Sequence, residues 1–80
     1  MEGWAVDMGL DQVKPGQTAV VTDIKVEEAL SARLRDMGFV PGTGVCCRYR
    51  GPGGRVTAVG FRGTVVAMRT KDLRGIRVRR

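Results

Sequence analysis

The sequence predicts a mainly β fold: a small closed or half-open barrel of about five strands with one amphipathic α-helix. Twelve glycines in 80 residues are spread between short Val-rich runs, which is typical of many tight turns between short strands. Only one stretch changes from the alternation of strands to a helical period. Because the chain is too short for a two-sheet sandwich and repeats no βαβ unit, a small barrel is the expected architecture.

The first strand is predicted over residues 18–24, which are rich in β-branched side chains. The dipeptide Pro15-Gly16 precedes it and is typical of the centre of a type II turn. Alternation places Val20 and Ile24 on one side of the pleat and the residues next to Val20 on the other.

A single amphipathic helix is predicted over residues 26–37, because four apolar side chains recur there at a helical spacing. These side chains are Val26, Leu30, Leu34 and Met37. Gly38 follows directly and can take the left-handed conformation that closes a helix. The helix should therefore cover one side of the barrel.

The strand predicted over residues 45–50 follows a second Pro-Gly turn. Alternation directs Val45, Cys47 and Tyr49 to one side and Cys46 to the other. We therefore expect Cys47 to be buried, Cys46 to be exposed, and Tyr49 to belong to the core.

The last third of the chain predicts a hairpin with its turn at Arg62-Gly63, followed by a short helical turn and a final strand. The predicted elements are a strand with Thr57, Val59 and Phe61 on one face, a strand over residues 64–69, one helical turn over residues 70–73, and a short strand through Ile76 and Val78.

The domain organisation follows from length and hydropathy. Residues 1–8 show no apolar period, so we expect a flexible N-terminal extension before a single domain over residues 9–80. No apolar stretch reaches the ~18–20 residues that a membrane span requires, and the first residues lack the pattern of a secretory signal. A cytoplasmic location is expected.

The inventory of reactive side chains does not favour catalysis, a cofactor or a metal site. The chain has no histidine, and no carboxylate pair or Gly-rich phosphate loop is visible. Cys46 and Cys47 are adjacent on a predicted strand, so their side chains should point to opposite faces and cannot hold one ion together. We expect no enzyme, no cofactor and no small-molecule substrate.

The charge distribution leaves the class of partner open. The formal net charge is +6, and most arginines follow position 47. Such a basic half favours an acidic protein face, anionic lipid or nucleic acid. Nucleic acid is the alternative function, although the few aromatic residues are dispersed and form no evident stacking platform. Those residues are Trp4, Phe39, Tyr49 and Phe61.

The segment from Leu34 to Thr43, with the sequence LRDMGFVPGT, resembles the signature of FeoA proteins. In that family a helix ends in Leu-x-Asp-Met-Gly-Leu, and a Val-Pro-Gly-Thr turn follows. Residues 10–16 and 62–69 extend the resemblance, so it covers roughly residues 10–79. At Gly54-Arg55-Val56 the chain departs from the Gly-Asp-Pro of many members.

The resemblance implies an SH3-like barrel and a regulatory role beside FeoB, the membrane transporter of ferrous iron, whose cytosolic region would be the partner. The chain would then associate with the inner face of the membrane through that partner, without a span of its own. The FeoA fold also resembles the C-terminal domain of metal-dependent repressors, but no helix-turn-helix precedes the barrel in these residues.

The signature and the helix before it supply the candidate partner-binding residues. They are Leu30, Arg33, Leu34, Met37, Gly38, Phe39, Val40, Pro41, Gly42 and Thr43. A purely structural reading is favoured over direct contact: the glycines can serve the backbone, and the apolar side chains can hold the helix on the barrel. An exposed Phe39 or Val40 would favour direct contact.

Overall fold

A computed structural model describes residues 6–80, which form one antiparallel six-stranded sheet and two helices. The strands are β1 (Asp7–Gly9), β2 (Thr18–Ile24), β3 (Gly44–Arg50), β4 (Val56–Phe61), β5 (Thr64–Arg69) and β6 (Ile76–Arg79). The helices are α1 (Glu28–Asp36) and the single turn α2 (Thr70–Leu73), and short 3₁₀ turns lie at Leu10–Gln12 and Pro52–Gly54. The predicted mainly β fold with one amphipathic helix is confirmed.

The order of strands in the sheet is β1-β6-β2-β3-β4-β5, so β1 and β5 are its two edges. The sheet is therefore a half-open barrel and not a closed one. Strand β1 was not predicted, and it pairs with β6 from the other end of the chain, with Met8 opposite Val78. The last residues of the predicted extension thus belong to the sheet, whereas residues 1–5 lie outside the described part of the chain.

The hairpin between β4 and β5 forms as predicted. Phe61 and Thr64 are paired across a two-residue turn. Arg62 and Gly63 both have positive φ, +51° and +75°, which is the type I′ geometry whose twist matches that of the flanking strands. Both predicted Pro-Gly turns also form: Gln17 N–H donates to Lys14 O at 2.9 Å, and Thr43 N–H donates to Val40 O at 3.0 Å.

Helix α1 begins two residues later than predicted, at Glu28, and ends at Asp36. Leu34 is fully buried, and Leu30 packs against the core while remaining partly exposed. Val26 precedes the helix but also packs against the core. The apolar period therefore identified the side of α1 that meets the barrel, although not its first residue.

The core lies between the curved sheet and the helices. Its largest fully buried side chains are Phe39, Leu10, Leu34, Leu73 and Ile76. Phe39 meets Phe61 edge to face, with ring centroids 5.0 Å apart and planes at 87°. This is a favoured arrangement for an aromatic pair, and it fixes the chain just after α1 onto β4.

A bulge in β3 makes the prediction for Tyr49 wrong. The register of β3 against β4 shifts between Cys47 and Tyr49, so one extra residue interrupts the alternation. Cys47 is buried as predicted and Cys46 is partly exposed, but Tyr49 is 61% exposed. Arg50 takes the inward direction instead and is half-buried.

A second bulge corrects the prediction for β2. The register against β6 shifts between Val21 and Asp23. As a result Val20 faces solvent, whereas Ile24, predicted on the same side as Val20, packs against the core. In both strands the inserted residue reverses the faces of all the residues that follow it.

Candidate partner-binding site

The ten predicted partner-binding residues divide by burial into three groups. Leu34, Phe39 and Thr43 are buried. Leu30, Gly38 and Val40 are half-buried, and Arg33, Met37, Pro41 and Gly42 are exposed. Only members of the last two groups can touch a partner without a change in the fold.

The three buried residues serve the structure, and a partner reaches them only if the fold changes. Phe39 has no exposed surface, and it lies against Phe61 in the core. The Thr43 hydroxyl donates to Gly38 O at 3.2 Å and accepts the Val40 N–H at 3.1 Å. These two bonds from a buried side chain hold Gly38, Val40 and Thr43 together in the loop after α1.

Gly38 ends α1 in the geometry expected from the sequence. Its φ is +85°, and its N–H donates to Arg35 O at 3.0 Å. The N–H of Phe39 reaches back to Leu34 O at 2.8 Å, which completes a Schellman motif. A Cβ on Gly38 would lie 3.2 Å from Nη1 of Arg62, so the arginine packs directly on this glycine.

The turn from Val40 to Thr43 is fastened to β2 by main-chain bonds. Val21 N–H donates to Thr43 O at 2.9 Å, and Gly42 N–H donates to Val21 O at 2.7 Å. With Pro41 fixing φ at its own position, little freedom remains in this turn. Its exposed residues therefore form a rigid surface.

A cleft of about 290 Å³ lies between α1 and β5. We call it the helix–strand cleft. Its apolar lining comes from Leu30, Leu34, Met37, Val66 and Met68, and its charged lining from Glu27, Arg33, Arg69 and Asp72. Two carboxylates and two guanidiniums line the cleft, so its formal charges cancel. One pair of them, Arg69 and Asp72, is in contact through Nε and Oδ2 at 2.9 Å.

Strand β5 is a sheet edge, and its free side adjoins this cleft. The Phe61–Thr64 pair closes a two-residue turn and is therefore hydrogen-bonded, and antiparallel pairs alternate between bonded and non-bonded. It follows that Val65, Ala67 and Arg69 direct their main-chain N–H and C=O groups away from β4. No strand in the described part of the chain pairs with them.

Sequence reasoning identified the α1 side of the cleft but not the β5 side. Val66, Met68 and Arg69 complete the lining, and none was selected from the sequence. The signal for them was the unbroken apolar run over residues 65–68, which alternation could not assign to faces. An edge strand beside a helix explains that run.

The two thiols differ in environment. Burial raises the pKa of the Cys47 thiol; the positive charge of Arg50 lowers this pKa and the neighbouring Cys46 raises it, both as smaller effects. Both cysteines are free thiols. Within residues 6–80, no group of three Cys, Asp or Glu side chains is placed to hold a metal ion.

The fold and the cleft define a class of protein: a small SH3-like barrel domain with one helix beside its edge strand. Solved structures share this architecture. The FeoA protein of Chlorobium tepidum is 34% identical, with a TM-score of 0.85 over 89% of this chain and 68% of that one. The FeoA protein of Stenotrophomonas maltophilia, described as an SH3 domain protein in complex with zinc, is 32% identical, with a TM-score of 0.73 over 89% of this chain and 88% of that one.

The family model for the FeoA domain matches residues 8–80, and this chain belongs to the FeoA family. FeoA proteins are linked to ferrous iron transport. A manganese-dependent transcriptional repressor shares the fold at 15% identity, with a TM-score of 0.80 over 90% of this chain and 40% of that one. A comparison with curated protein sequences returned no match. No helix in the described range is long and apolar enough to cross a membrane.

Proposed function

We propose that this protein is a non-enzymatic accessory factor of ferrous iron uptake that binds the cytosolic part of an FeoB-type transporter. The observation that carries the proposal is membership of the FeoA family across residues 8–80. The Stenotrophomonas maltophilia protein is described as a candidate activating factor of bacterial ferrous iron transport. In this proposal the chain works in the cytoplasm and reaches the inner face of the membrane through its partner.

The contact surface in this proposal is the helix–strand cleft with the free edge of β5. An extended segment of the partner would pair with the outward main-chain groups of β5, which is the mode of strand addition. Its apolar side chains would enter the cleft beside Leu30 and Met37, and Met37 is 38% exposed at the end of α1. Main-chain pairing would supply affinity, and the cleft would supply selectivity.

The rigid turn after α1 lies outside the cleft lining and would give the partner a second exposed element. Its main-chain bonds to β2 hold Pro41 and Gly42 in place before any partner arrives. A preorganised surface loses little conformational entropy on binding. This suits a small regulatory domain that acts through its shape and not through reactive side chains.

Titration calorimetry with the cytosolic region of FeoB from the same genome tests the proposal. Met37→Glu places a charge at the cleft, and Ala67→Pro removes one outward N–H of β5, a position where an edge strand tolerates proline. Each should weaken binding roughly tenfold or more, because each removes a contact that the bound segment needs. Circular dichroism checks that both variants remain folded.

Val56→Glu is the matched control, since Val56 is 44% exposed and does not line the cleft. It should change the affinity less than about twofold. Absence of binding by the unmodified protein would overturn the proposed function. Equal weakening by the control and the cleft variants would overturn the choice of surface.

A further inference from the structure

A second concave surface lies on the outer face of the sheet, across β2, β3, β4 and β5, and has a volume of about 840 Å³. We call it the basic groove. No Asp or Glu lines it, whereas four arginines do: Arg48, Arg62, Arg79 and Arg80. The basic groove shares no lining residue with the helix–strand cleft, whose own charges are balanced.

Gly60 explains how Arg48 can lie across the middle of this face. It stands opposite Cys46 on β3 and opposite Val65 on β5, so it is the centre of a cross-strand row. A Cβ here would lie 3.0 Å from Cys46 Sγ and 3.1 Å from Arg48 Cδ. The absent side chain thus lets the stem of Arg48 lie across β4, which positions its guanidinium over the groove.

Two other arginines are held at the borders of the groove. Arg80 Nε donates to Thr18 O at 3.1 Å, which ties the end of the chain to β2. Arg62 packs on Gly38 at the end of α1. Among residues 6–80, only Arg79 of the four arginines has a carboxylate partner, Asp7 at 3.5 Å. Arg48, Arg62 and Arg80 therefore line the groove without an Asp or Glu partner among the described residues.

We propose that the basic groove binds an acidic polypeptide segment that also carries aliphatic side chains. Guanidinium groups can bind carboxylates through two parallel hydrogen bonds, so the charge of the groove complements Asp and Glu. Val20 and Val65 line the same groove and are 46% and 54% exposed. Aliphatic residues of the bound segment would cover these valines.

The composition of the groove favours a polypeptide over RNA. Single-stranded RNA is held through bases stacked on exposed aromatic rings as well as through phosphates. Phe61 is the one aromatic residue among the described lining residues, and it is 5% exposed. Tyr49 is exposed but does not line the groove. The concave shape also suits a segment of chain better than the flat surface of a bilayer.

Fluorescence anisotropy tests the inference with a labelled Glu-Glu-Leu repeat peptide of about twelve residues, which extended reaches roughly 40 Å. The unmodified protein should bind it at about 50 mM salt, and binding should weaken as salt rises. The double variant Arg48→Glu/Arg62→Glu should weaken binding roughly tenfold or more. If that variant does not fold, Arg48→Gln/Arg62→Gln should still weaken binding clearly.

Arg55→Glu/Lys71→Glu is the matched control, because it causes the same loss of charge at two exposed positions outside the groove. It should change binding less than about twofold. Equal weakening by both double variants would overturn the inference, and so would no binding of the peptide. Tighter binding of an oligouridine RNA or of phosphatidylserine vesicles would overturn it in favour of that ligand. Met37→Glu, which changes the helix–strand cleft, should leave binding of this peptide unchanged. A failure of the peptide test would therefore count against the basic groove and not against the proposed function.

Discussion

Arg50 supplies the sharpest test of how this small barrel is held together. Its guanidinium Nη2 donates to Asp11 O at 2.6 Å and to Val13 O at 2.8 Å, and its Nη1 donates to Thr57 Oγ1 at 2.9 Å. The Thr57 hydroxyl in turn contacts the Thr70 hydroxyl at 2.8 Å. One side chain thus joins the 3₁₀ turn before β2 to β4 and α2.

Replacement of Arg50 by alanine should lower the free energy of unfolding by about 2–4 kcal/mol. Hydrogen bonds from a charged donor contribute about 1.5–3 kcal/mol each. Because Arg50 is only half-buried, water can reach some of the acceptor oxygens that lose their donor in the variant, and the net loss is smaller than the sum. For a domain of this size, such a loss corresponds to a fall in Tm of roughly 10–25 °C. Arg50→Lys should recover less than half, because an ammonium group lacks the planar fork.

Urea denaturation followed by circular dichroism measures this loss, and Arg77→Ala is the control. Arg77 is an exposed strand arginine, and no side-chain hydrogen bond or ion pair is seen for it within the described residues. The control should change stability by less than about 0.5 kcal/mol. A loss below about 0.5 kcal/mol for Arg50→Ala would refute the role assigned to this side chain.

Four further predictions concern α1 and the thiols. Leu34→Ala should cost about 2–4 kcal/mol in urea denaturation through a core cavity, and a harmless substitution would remove α1 from the core. Gly38→Ala should lower Tm, because its φ is positive and Arg62 occupies the space; an unchanged Tm would contradict this. A thiol reagent should label Cys46 in the native protein and Cys47 only after unfolding; the reverse order would refute the register of β3. Since burial raises the folded pKa of Cys47, its stabilising contribution is complete below the unfolded pKa of the thiol and is lost as pH rises through the folded pKa. Urea denaturation across that range should show a smaller decline for Cys47→Ala.

Local chemistry predicted much of the fold. The turn at Arg62-Gly63 and the Pro-Gly turns formed where the residue types placed them, because their conformational preferences act within a few residues. The bounds of β5, Thr64–Arg69, and of α2, Thr70–Leu73, agree with the sequence prediction. These elements are bounded by turn residues on at least one side.

The bulges escaped prediction because nothing in the local alternation marks them. Tyr49 continues the pattern of Val45 and Cys47, yet an inserted residue turns it to solvent and turns Arg50 inward. The pairing partner decides the position of a bulge, and the partner strand is distant in the sequence. Strand β1 escaped for the same reason, since its three residues gain their structure from β6.

The sequence indicated the α1 side of the helix–strand cleft but not its β5 side. The period of α1 indicated Leu30 and Met37, but only the sheet order shows that β5 is an edge beside them. The burial of Phe39 was not evident from the sequence, because its place next to an exposed turn gives no sign of its packing on Phe61. The basic groove depends on a cross-strand row through Gly60, and sequence alone does not bring that row together.

The central proposal is that this FeoA-family chain meets the cytosolic region of FeoB through the helix–strand cleft. Two-dimensional NMR of the ¹⁵N-labelled protein, titrated with that region of FeoB, tests it residue by residue. The amide signals of residues 66–69 in β5 and of the end of α1 should shift or broaden first, and the amides of Ala67 and Arg69 should become protected from hydrogen exchange. Shifts confined to the basic groove, or no shifts at all, would contradict the claim.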